Sequence, residues 1–274
     1  MSSAPSTAET YELVEPKGRA GFAQALRAEW TKFWSVRSTP WSLIALLIAA
    51  IGIGALSTNA LRGEPFPVAD PIRRILVGFN LGQFAIGVLG ILYISAEYGT
   101  GLIRSTLSAQ PRRPVVLGAK AVVMGGVGLV VGEILTFATF FVGHLVLSGS
   151  RSEVSLGDPG VIRVLVEGGI YLTLMGLIGL GVASIIRNTA GSIALFTGFV
   201  LILTLIIFAM PAVIVHALSR YLPANIGATV FAAHTPERLA GTPVFSPLTG
   251  LIILGIYATV LLLSGCLLMI RRDT

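Results

Sequence analysis

Long apolar stretches separated by short polar segments dominate this chain of 274 residues. A helix needs about 20 mostly apolar residues to cross the hydrocarbon core of a bilayer. The stretches that reach this length lie at about residues 41–60, 75–96, 116–147, 162–186, 189–210 and 248–270. The pattern therefore predicts an all-α, polytopic membrane protein, with six transmembrane helices forming one domain over residues 39–274.

The composition supports a membrane location. Charged residues make up 12% of the chain and apolar residues 54%, whereas a soluble domain carries about a quarter charged residues. So few charges cannot cover a water-facing surface, and lipid must cover most of it. The net charge of +6 would suit nucleic acid, but the basic residues gather at the ends of the apolar stretches, as membrane anchoring requires. The expected partner is the lipid bilayer and not nucleic acid.

The distribution of basic residues predicts the orientation. An even number of spans places both termini on one side of the membrane. Of the 19 lysines and arginines, the larger share lies in the termini and in the second and fourth loops. Because basic loops stay inside, both termini are expected in the cytoplasm of a bacterial plasma membrane. Residues 1–18 are polar and lack the order of a signal peptide, which favours a flexible cytosolic tail.

Residues 19–38 have the pattern of an amphipathic helix. At 100° per residue, Phe22, Leu26, Trp30 and Phe33 fall on one face, and Glu29 belongs to the same helix. Aromatic and basic side chains on such a helix suit the headgroup plane of a membrane. The alternative, a water-exposed extension of the first span, would leave four large apolar side chains in water.

The loop at residues 211–247 is long, apolar and rich in proline. Backbone can enter a bilayer only where protein buries it. The loop is therefore expected to form short re-entrant or surface-lying helices, around residues 212–222 and 226–233.

Glycine and acidic residues inside the spans are informative. Gly125, Gly128 and Gly132 form a smooth stripe on the third span, which favours close helix packing in lipid.

Glu133 lies well inside the bilayer, where an ionised carboxylate is costly. Either it is protonated and hydrogen-bonded, with Asn80 or Gln83 as conceivable partners, or it lines a polar pathway.

The chain lacks the usual enzyme motifs. There is no G-x-x-x-x-G-K-[ST] phosphate loop and no H-E-x-x-H zinc helix. The histidines have no metal-ligand spacing, and the single cysteine, Cys266, excludes intramolecular disulfides. We therefore expect no catalytic, cofactor-binding or metal-binding residues in this chain.

Three segments carry a resemblance to a known family. They read LRAEWTKFWSVRSTPW at residues 26–41, EYGTGLIRSTLSAQPRRPVVLGAK at 97–120 and SIIRNTAGS at 184–192. Together with six spans and a long fifth loop, these segments resemble the permease subunits of type-2 ATP-binding-cassette (ABC) exporters, particularly those of actinobacteria. The resemblance covers nearly the whole chain after residue 18, but it does not indicate the exported substrate.

The resemblance implies specific partners. The permease would dimerise with a second permease chain, identical or not, and each would dock on a separate ATPase subunit that holds ATP and Mg. The interfacial helix and a short coupling helix after the second span would contact the ATPase. The residues implied in ATPase coupling are Glu97, Tyr98, Gly101, Arg104, Ser105, Leu107, Arg112 and Arg113. For Arg112 and Arg113 the alternative is anchoring to anionic lipid headgroups.

By the same resemblance, the second and fifth spans would line the translocation path. The residues expected there are Asn80, Gln83, Phe84, Phe196 and Phe199, with Glu133 as the intramembrane polar group. One alternative is a secondary transporter or channel without an ATPase, which would favour inverted repeats and interrupted helices. Another is an intramembrane enzyme, which would need clustered acids or a Ser-His pair.

Overall fold

The computed structural model describes residues 21–35, 38–63, 70–109, 112–234, 238–239 and 242–271, and within these ranges the chain is almost entirely helical. The predicted tail at residues 1–18 lies outside the described residues. The helices are α1 (Phe22–Ser35), α2 (Ser38–Asn59), α3 (Pro71–Ile75), α4 (Phe79–Thr100), α5 (Leu102–Ala109), α6 (Arg113–Leu147), α7 (Val161–Ile186), α8 (Thr189–Thr197), α9 (Leu203–Phe208), α10 (Ala212–Leu218), α11 (Pro223–Val230) and α12 (Pro247–Arg271). A two-residue antiparallel pair joins β1 (Arg238–Leu239) to β2 (Thr242–Pro243).

Within the described ranges, six helical segments are long and apolar enough to cross a membrane, which confirms the predicted number of spans. They are Thr39–Arg62, Pro71–Thr100, Arg113–Leu147, Val161–Ile186, Thr189–Phe208 and Pro247–Arg271. The second contains a 3-10 turn at Leu76–Gly78, and the fifth contains a π turn at Gly198–Ile202. The fifth ends shortly before Pro211, because proline cannot donate the backbone hydrogen bond that would continue a helix.

Helix α7 forms the centre of the bundle and packs against α4, α6 and α12. Glycines make this packing close: a Cβ added at Gly90 would collide with the Gly176 carbonyl oxygen, and one at Gly132 would lie 2.8 Å from the Gly169 carbonyl oxygen. In the most apolar window of α7, 67% of residues are buried, against 22% in the fifth and sixth spans. The peripheral spans therefore expose apolar side chains to whatever surrounds the bundle.

The long fifth loop folds back onto the bundle. Helices α10 and α11 form where short helices are expected, and Ile226 and Val230 of α11 are buried. Arg163 of α7 forms an ion pair with Glu167 at 2.8 Å and donates to the carbonyl oxygens of Ala232 and Ala233. These contacts tie the loop to the central helix.

Candidate functional site

Helix α1 docks on the bundle through one side. Phe33 is 2% exposed and packs edge to face on Tyr93 of α4, with ring centroids 5.0 Å apart. Leu26 packs against the core, and a Cβ at Gly118 of α6 would lie 3.6 Å from the Phe22 ring. Trp30 is 50% exposed. Part of the apolar face of α1 therefore packs on protein, while Phe22 and Trp30 stay exposed, and the position of α1 in the headgroup plane stays a prediction.

Glu29, on the docked side of α1, belongs to a buried ionic cluster. The Nζ atom of Lys120, in the second turn of α6, lies 2.7 Å from Glu29 Oε2 and 2.7 Å from Glu97 Oε1. The Lys120 side chain is fully buried and its ammonium lies 4.4 Å from the centre of the Tyr93 ring. Tyr93 also donates a hydrogen bond to Glu29 Oε2 at 3.1 Å. One buried cation thus joins two carboxylates from different helices.

Lys32 extends the cluster to α5. Its Nζ atom donates to Glu29 Oε1 at 3.1 Å, to Glu97 Oε1 at 3.2 Å and to Thr106 Oγ1 at 2.9 Å. Burial by itself would lower the pKa of the Lys32 ammonium, but the carboxylates of Glu29 and Glu97 together raise that pKa above its ordinary value. Lys32 therefore stays charged and connects α1, α4 and α5.

The charges of the cluster balance: two ammonium groups face two carboxylates. Buried charges are stable only when they are paired and hydrogen-bonded, because their removal from water is costly. The Lys32–Glu29 hydrogen bond lies within one turn of α1, and the other hydrogen bonds of the cluster join two different helices. We name the set of Glu29, Lys32, Tyr93, Glu97, Thr106 and Lys120 the four-helix joint, because it fixes α1, α4, α5 and α6 to one another.

The joint changes the interpretation of Glu97. Its side chain is 11% exposed and both of its ion-pair partners lie within this chain. In this conformation Glu97 pairs with two lysines of its own chain, and its role in ATPase coupling stays a prediction.

The next residues form a sharp corner between α4 and α5. Gly101 ends α4 in the left-handed conformation, with φ 75°, which glycine adopts without steric cost. Ser105 is exposed on α5 and its hydroxyl donates only to the Leu102 carbonyl oxygen of the same helix. Arg104 and Leu107 lie in α5, but their side chains are outside the described part. The corner turns α5 away from α4 and leaves one face of α5 uncovered.

The arginines near this corner differ in their exposure and in their hydrogen bonds. Arg112 is exposed at the start of α6. Arg113 instead donates to the Met269 and Ile270 carbonyl oxygens at the end of α12, where the last carbonyl groups of a helix lack partners. Arg187 donates to the Leu268 carbonyl oxygen at 3.2 Å.

Tyr98 is half-buried, with the Arg187 guanidinium 5.3 Å from the centre of its ring. Arg113 and Tyr98 therefore contact other helix ends of the chain, and their role in ATPase coupling stays a prediction.

The residues expected along the translocation path are not gathered on one open surface. Phe196 is fully buried, with its ring against Gly87 of α4. Gln83 is 5% exposed and accepts a hydrogen bond from the Tyr171 hydroxyl at 2.5 Å. Phe84 and Phe199 are half-buried, and Asn80 is exposed. In this conformation Gln83 and Phe196 are core side chains of the single chain.

Glu133 does not contact the partners considered for it. Its carboxylate packs on Gly169 of α7, while the Asn80 amide donates to the Val77 carbonyl oxygen and Gln83 bonds with Tyr171. Among the described residues, none hydrogen-bonds to the Glu133 carboxylate. The group is half-buried on the side of α6 that faces α7.

A small polar cavity of about 260 Å³ lies at the opposite end of the bundle. Asp70, which precedes α3, lines it together with Asp158 and His234. Partial burial raises the pKa of the Asp70 carboxyl above its usual range. In the part of the chain that the structure describes, no group of three or more His, Cys, Asp or Glu side chains is arranged to hold a metal ion.

Sequence reasoning missed Lys32, Tyr93, Thr106 and Lys120 as members of the joint. The available signal was the presence of two lysines and two glutamates near the ends of apolar stretches, where an unpaired charge is costly. That signal does not state which charges meet.

Comparisons with known proteins do not assign this chain to a family. Neither models of protein families nor curated protein sequences give a match to this chain. The functional argument therefore rests on the residues and their geometry.

Proposed function

We propose that this chain is the membrane-spanning permease subunit of an ATP-driven ABC exporter. It would pair with a second permease chain and dock on a separate ATPase subunit that holds ATP and Mg. Its six apolar spans supply the membrane domain. The sequence has no phosphate-loop motif, and in this proposal the ATPase subunit hydrolyses ATP.

The four-helix joint is the observation that carries this proposal. An exporter driven by a separate ATPase needs a rigid connection between its docking helices and its spans. Lys120 links α1 to α4 and α6, and Lys32 links the same groups to α5 through Thr106. A force applied to α5 or α1 would therefore move the ends of the second and third spans together.

The mechanism follows from this connection. ATP binding would draw two ATPase subunits together and, with them, the α5 helices of two permease chains. The joint would pass this displacement to α4 and α6, and the cavity between the chains would open outward. Such a change is a population shift, driven by the difference in nucleotide affinity between the two states. Glu97 acts here as a positioning residue inside the joint.

The test is co-purification. The tagged chain is co-expressed with the genes that flank its own, isolated in mild detergent together with any ATPase that binds it, and assayed for ATP hydrolysis. We expect the ATPase to co-purify in a 1:1 ratio and the complex to hydrolyse ATP in lipid nanodiscs.

The contradicting result is a chain that purifies alone and moves solutes across proteoliposomes without ATP. The Glu133 carboxylate, which has no hydrogen-bond partner among the described residues, would favour such an ion-coupled secondary transporter. The variant Glu133→Gln then serves as a control. It leaves ATP hydrolysis unchanged in the exporter and stops ion-coupled flux in a secondary transporter.

A further inference from the structure

The carboxyl group of Glu133 lies deep in the third span. Lys120 precedes Glu133 by 13 residues, and Leu147, where α6 ends, follows it by 14. At 1.5 Å per residue, about 20 Å of helix separates Glu133 from each of them. The hydrocarbon core of a bilayer is about 30 Å thick, so the middle of this stretch lies inside it.

A notch in α7 holds the carboxyl group. A Cβ added at Gly169 would collide with Glu133 Oε1, so glycine leaves the space that the carboxyl occupies. Both carboxyl oxygens lack a hydrogen-bond partner among the described residues, but neither is enclosed by protein. One turn earlier, Leu129 and Val130 of α6 and Val166 of α7 are exposed. The carboxyl is therefore open toward apolar surroundings at hydrocarbon depth.

Helix α7, which packs on Glu133, does not supply a counter-ion. Within its range Val161–Ile186, which the structure describes throughout, the basic residue is Arg163. Arg163 pairs with Glu167 at 2.8 Å and donates to two carbonyl oxygens of the fifth loop. The Tyr171 hydroxyl of α7 donates to Gln83. The charged and titratable groups of α7 therefore have other partners.

The titratable groups of α6 and α2 do not supply one either. Lys120 of α6 pairs with two carboxylates in the four-helix joint. The Nδ1 atom of His144, three turns beyond Glu133, lies 2.7 Å from the Val154 carbonyl oxygen. Helix α2, which also packs on α6, contains no titratable residue within Ser38–Asn59.

These surroundings favour a proton over other cations. An ionised carboxylate at this depth would lack both water and a counter-ion, which is costly. A metal ion would need further ligands, and in the described ranges no group of three or more His, Cys, Asp or Glu side chains is arranged to hold one. A proton needs no ligand besides the carboxyl itself, and it removes the charge.

We propose that Glu133 is a proton-binding site inside the membrane, occupied near neutral pH and reached from the lipid. The neutral acid lies in the notch at Gly169, and it is the group of this chain that reacts with lipid-soluble carbodiimides. This site goes beyond the proposed function, because it holds its proton without ATP, an ATPase subunit or a second permease chain.

The first test uses the purified full chain in phosphatidylcholine nanodiscs at about pH 6 with dicyclohexylcarbodiimide. A carboxylic acid adds across a C=N bond of this reagent: its oxygen bonds to the central carbon and its proton moves to a nitrogen. The acyl group then migrates to nitrogen, and the N-acylurea product retains every atom of both reactants. Peptide mass spectrometry locates the adduct. Glu167, which is ion-paired in the next span, and Glu153, in an exposed loop, are internal controls.

We expect one adduct per chain, on Glu133, with neither control residue modified and with no adduct on the variant Glu133→Gln. A water-soluble carbodiimide that carries an ammonium group should modify Glu133 at no more than about a tenth of the rate, because a cation enters hydrocarbon at high cost. An unmodified Glu133, or equal rates for the two reagents, would overturn the proposal.

An infrared measurement detects the proton itself. At about pH 6 a glutamate in water is almost fully ionised, because its ordinary pKa is about 4.3. The spectrum of wild type minus that of Glu133→Gln should therefore contain the C=O stretch of a protonated carboxyl, which shifts in D2O. A difference spectrum that contains only carboxylate bands contradicts the proposal, whether or not an ATPase co-purifies with the chain.

Discussion

Lys120 is the residue on which the joint depends. It is fully buried and pairs with two carboxylates at 2.7 Å. Lys120→Met would leave Glu29 and Glu97 with only the half-exposed Lys32, and breaking a buried pair costs about 3–5 kcal/mol. We expect a loss of unfolding free energy of this size, measured by denaturant titration in detergent micelles.

Lys32→Met is the matched control for Lys120→Met. The Lys32 side chain is 41% exposed, and ion pairs at exposed positions contribute about 1 kcal/mol or less. Lys32→Met should therefore lose clearly less unfolding free energy than Lys120→Met. Equal losses for the two lysines would show that burial does not set the strength of the joint.

Asp70 gives a pH-dependent prediction. Partial burial raises the pKa of its carboxyl, so the ionised form is less stable in the folded chain than in the unfolded chain. This penalty is present at neutral pH and disappears as pH falls below the pKa of both states. Asp70→Asn, which keeps a residue favoured before a helix, should be more stable than wild type at pH 7.5 by no more than about 1 kcal/mol, because the residue is only partly buried.

The Asp70→Asn gain should shrink as the pH falls and be lost by about pH 3, below the ordinary Asp pKa of about 3.9. The check is a comparison of thermal unfolding midpoints at the two pH values. A gain that grows on acidification would mean that the carboxylate is stabilised, and not penalised, in the folded chain.

Residue pairing could not be predicted from the sequence. Glu29 and Lys120 are 91 positions apart, and Glu97 and Lys120 are 23 apart, so no local spacing rule connects them. The sequence marks these residues as charges near apolar stretches. Only the packing of α1 on α6 and the α4–α5 corner determines that they meet. For the same reason, the sequence could not show that Gln83 pairs with Tyr171 and that Phe196 is buried.

At the scale of elements, the sequence was more informative. Length and hydropathy predict each span, because a helix that crosses a bilayer must be both long and apolar. The prolines of the fifth loop predict its division into α10 and α11. The docking of α1 was not predictable, since an amphipathic pattern indicates an apolar face and does not specify whether lipid or protein covers it.

The crossing of α4 and α7 depends on glycine. Gly90 meets the Gly176 backbone, and Gly90→Ala would force the two helices apart. Such overpacking costs about 1–3 kcal/mol, so we expect a loss of unfolding free energy of that size.

Gly99→Ala, in the last turn of the same helix, is the control because nothing lies within 4 Å of an added Cβ there. It should be neutral or stabilising, since alanine favours helix. A Gly90→Ala variant as stable as Gly99→Ala would contradict the close crossing.

At the scale of the whole molecule, the bundle has a well-packed centre and apolar outer spans. The fifth and sixth spans are each 22% buried in their most apolar windows, so lipid or a second chain must cover them. At one end of the bundle, α5 exposes a face that the four-helix joint holds rigidly to two spans. In the proposed exporter, an ATPase subunit docks on this exposed face of α5.

The most direct test places a bulky side chain on that face. Ser105→Trp adds an indole at an exposed position of α5 whose hydroxyl bonds only to its own helix. Ser155→Trp is the matched control, because Ser155 is also exposed but lies in the next loop, between the third and fourth spans. Both variants are co-expressed with the ATPase that co-purifies with the wild-type chain, and the amount of ATPase retained per permease is measured. The account predicts that Ser105→Trp loses the ATPase while Ser155→Trp retains it. Equal retention by both variants would contradict docking on α5.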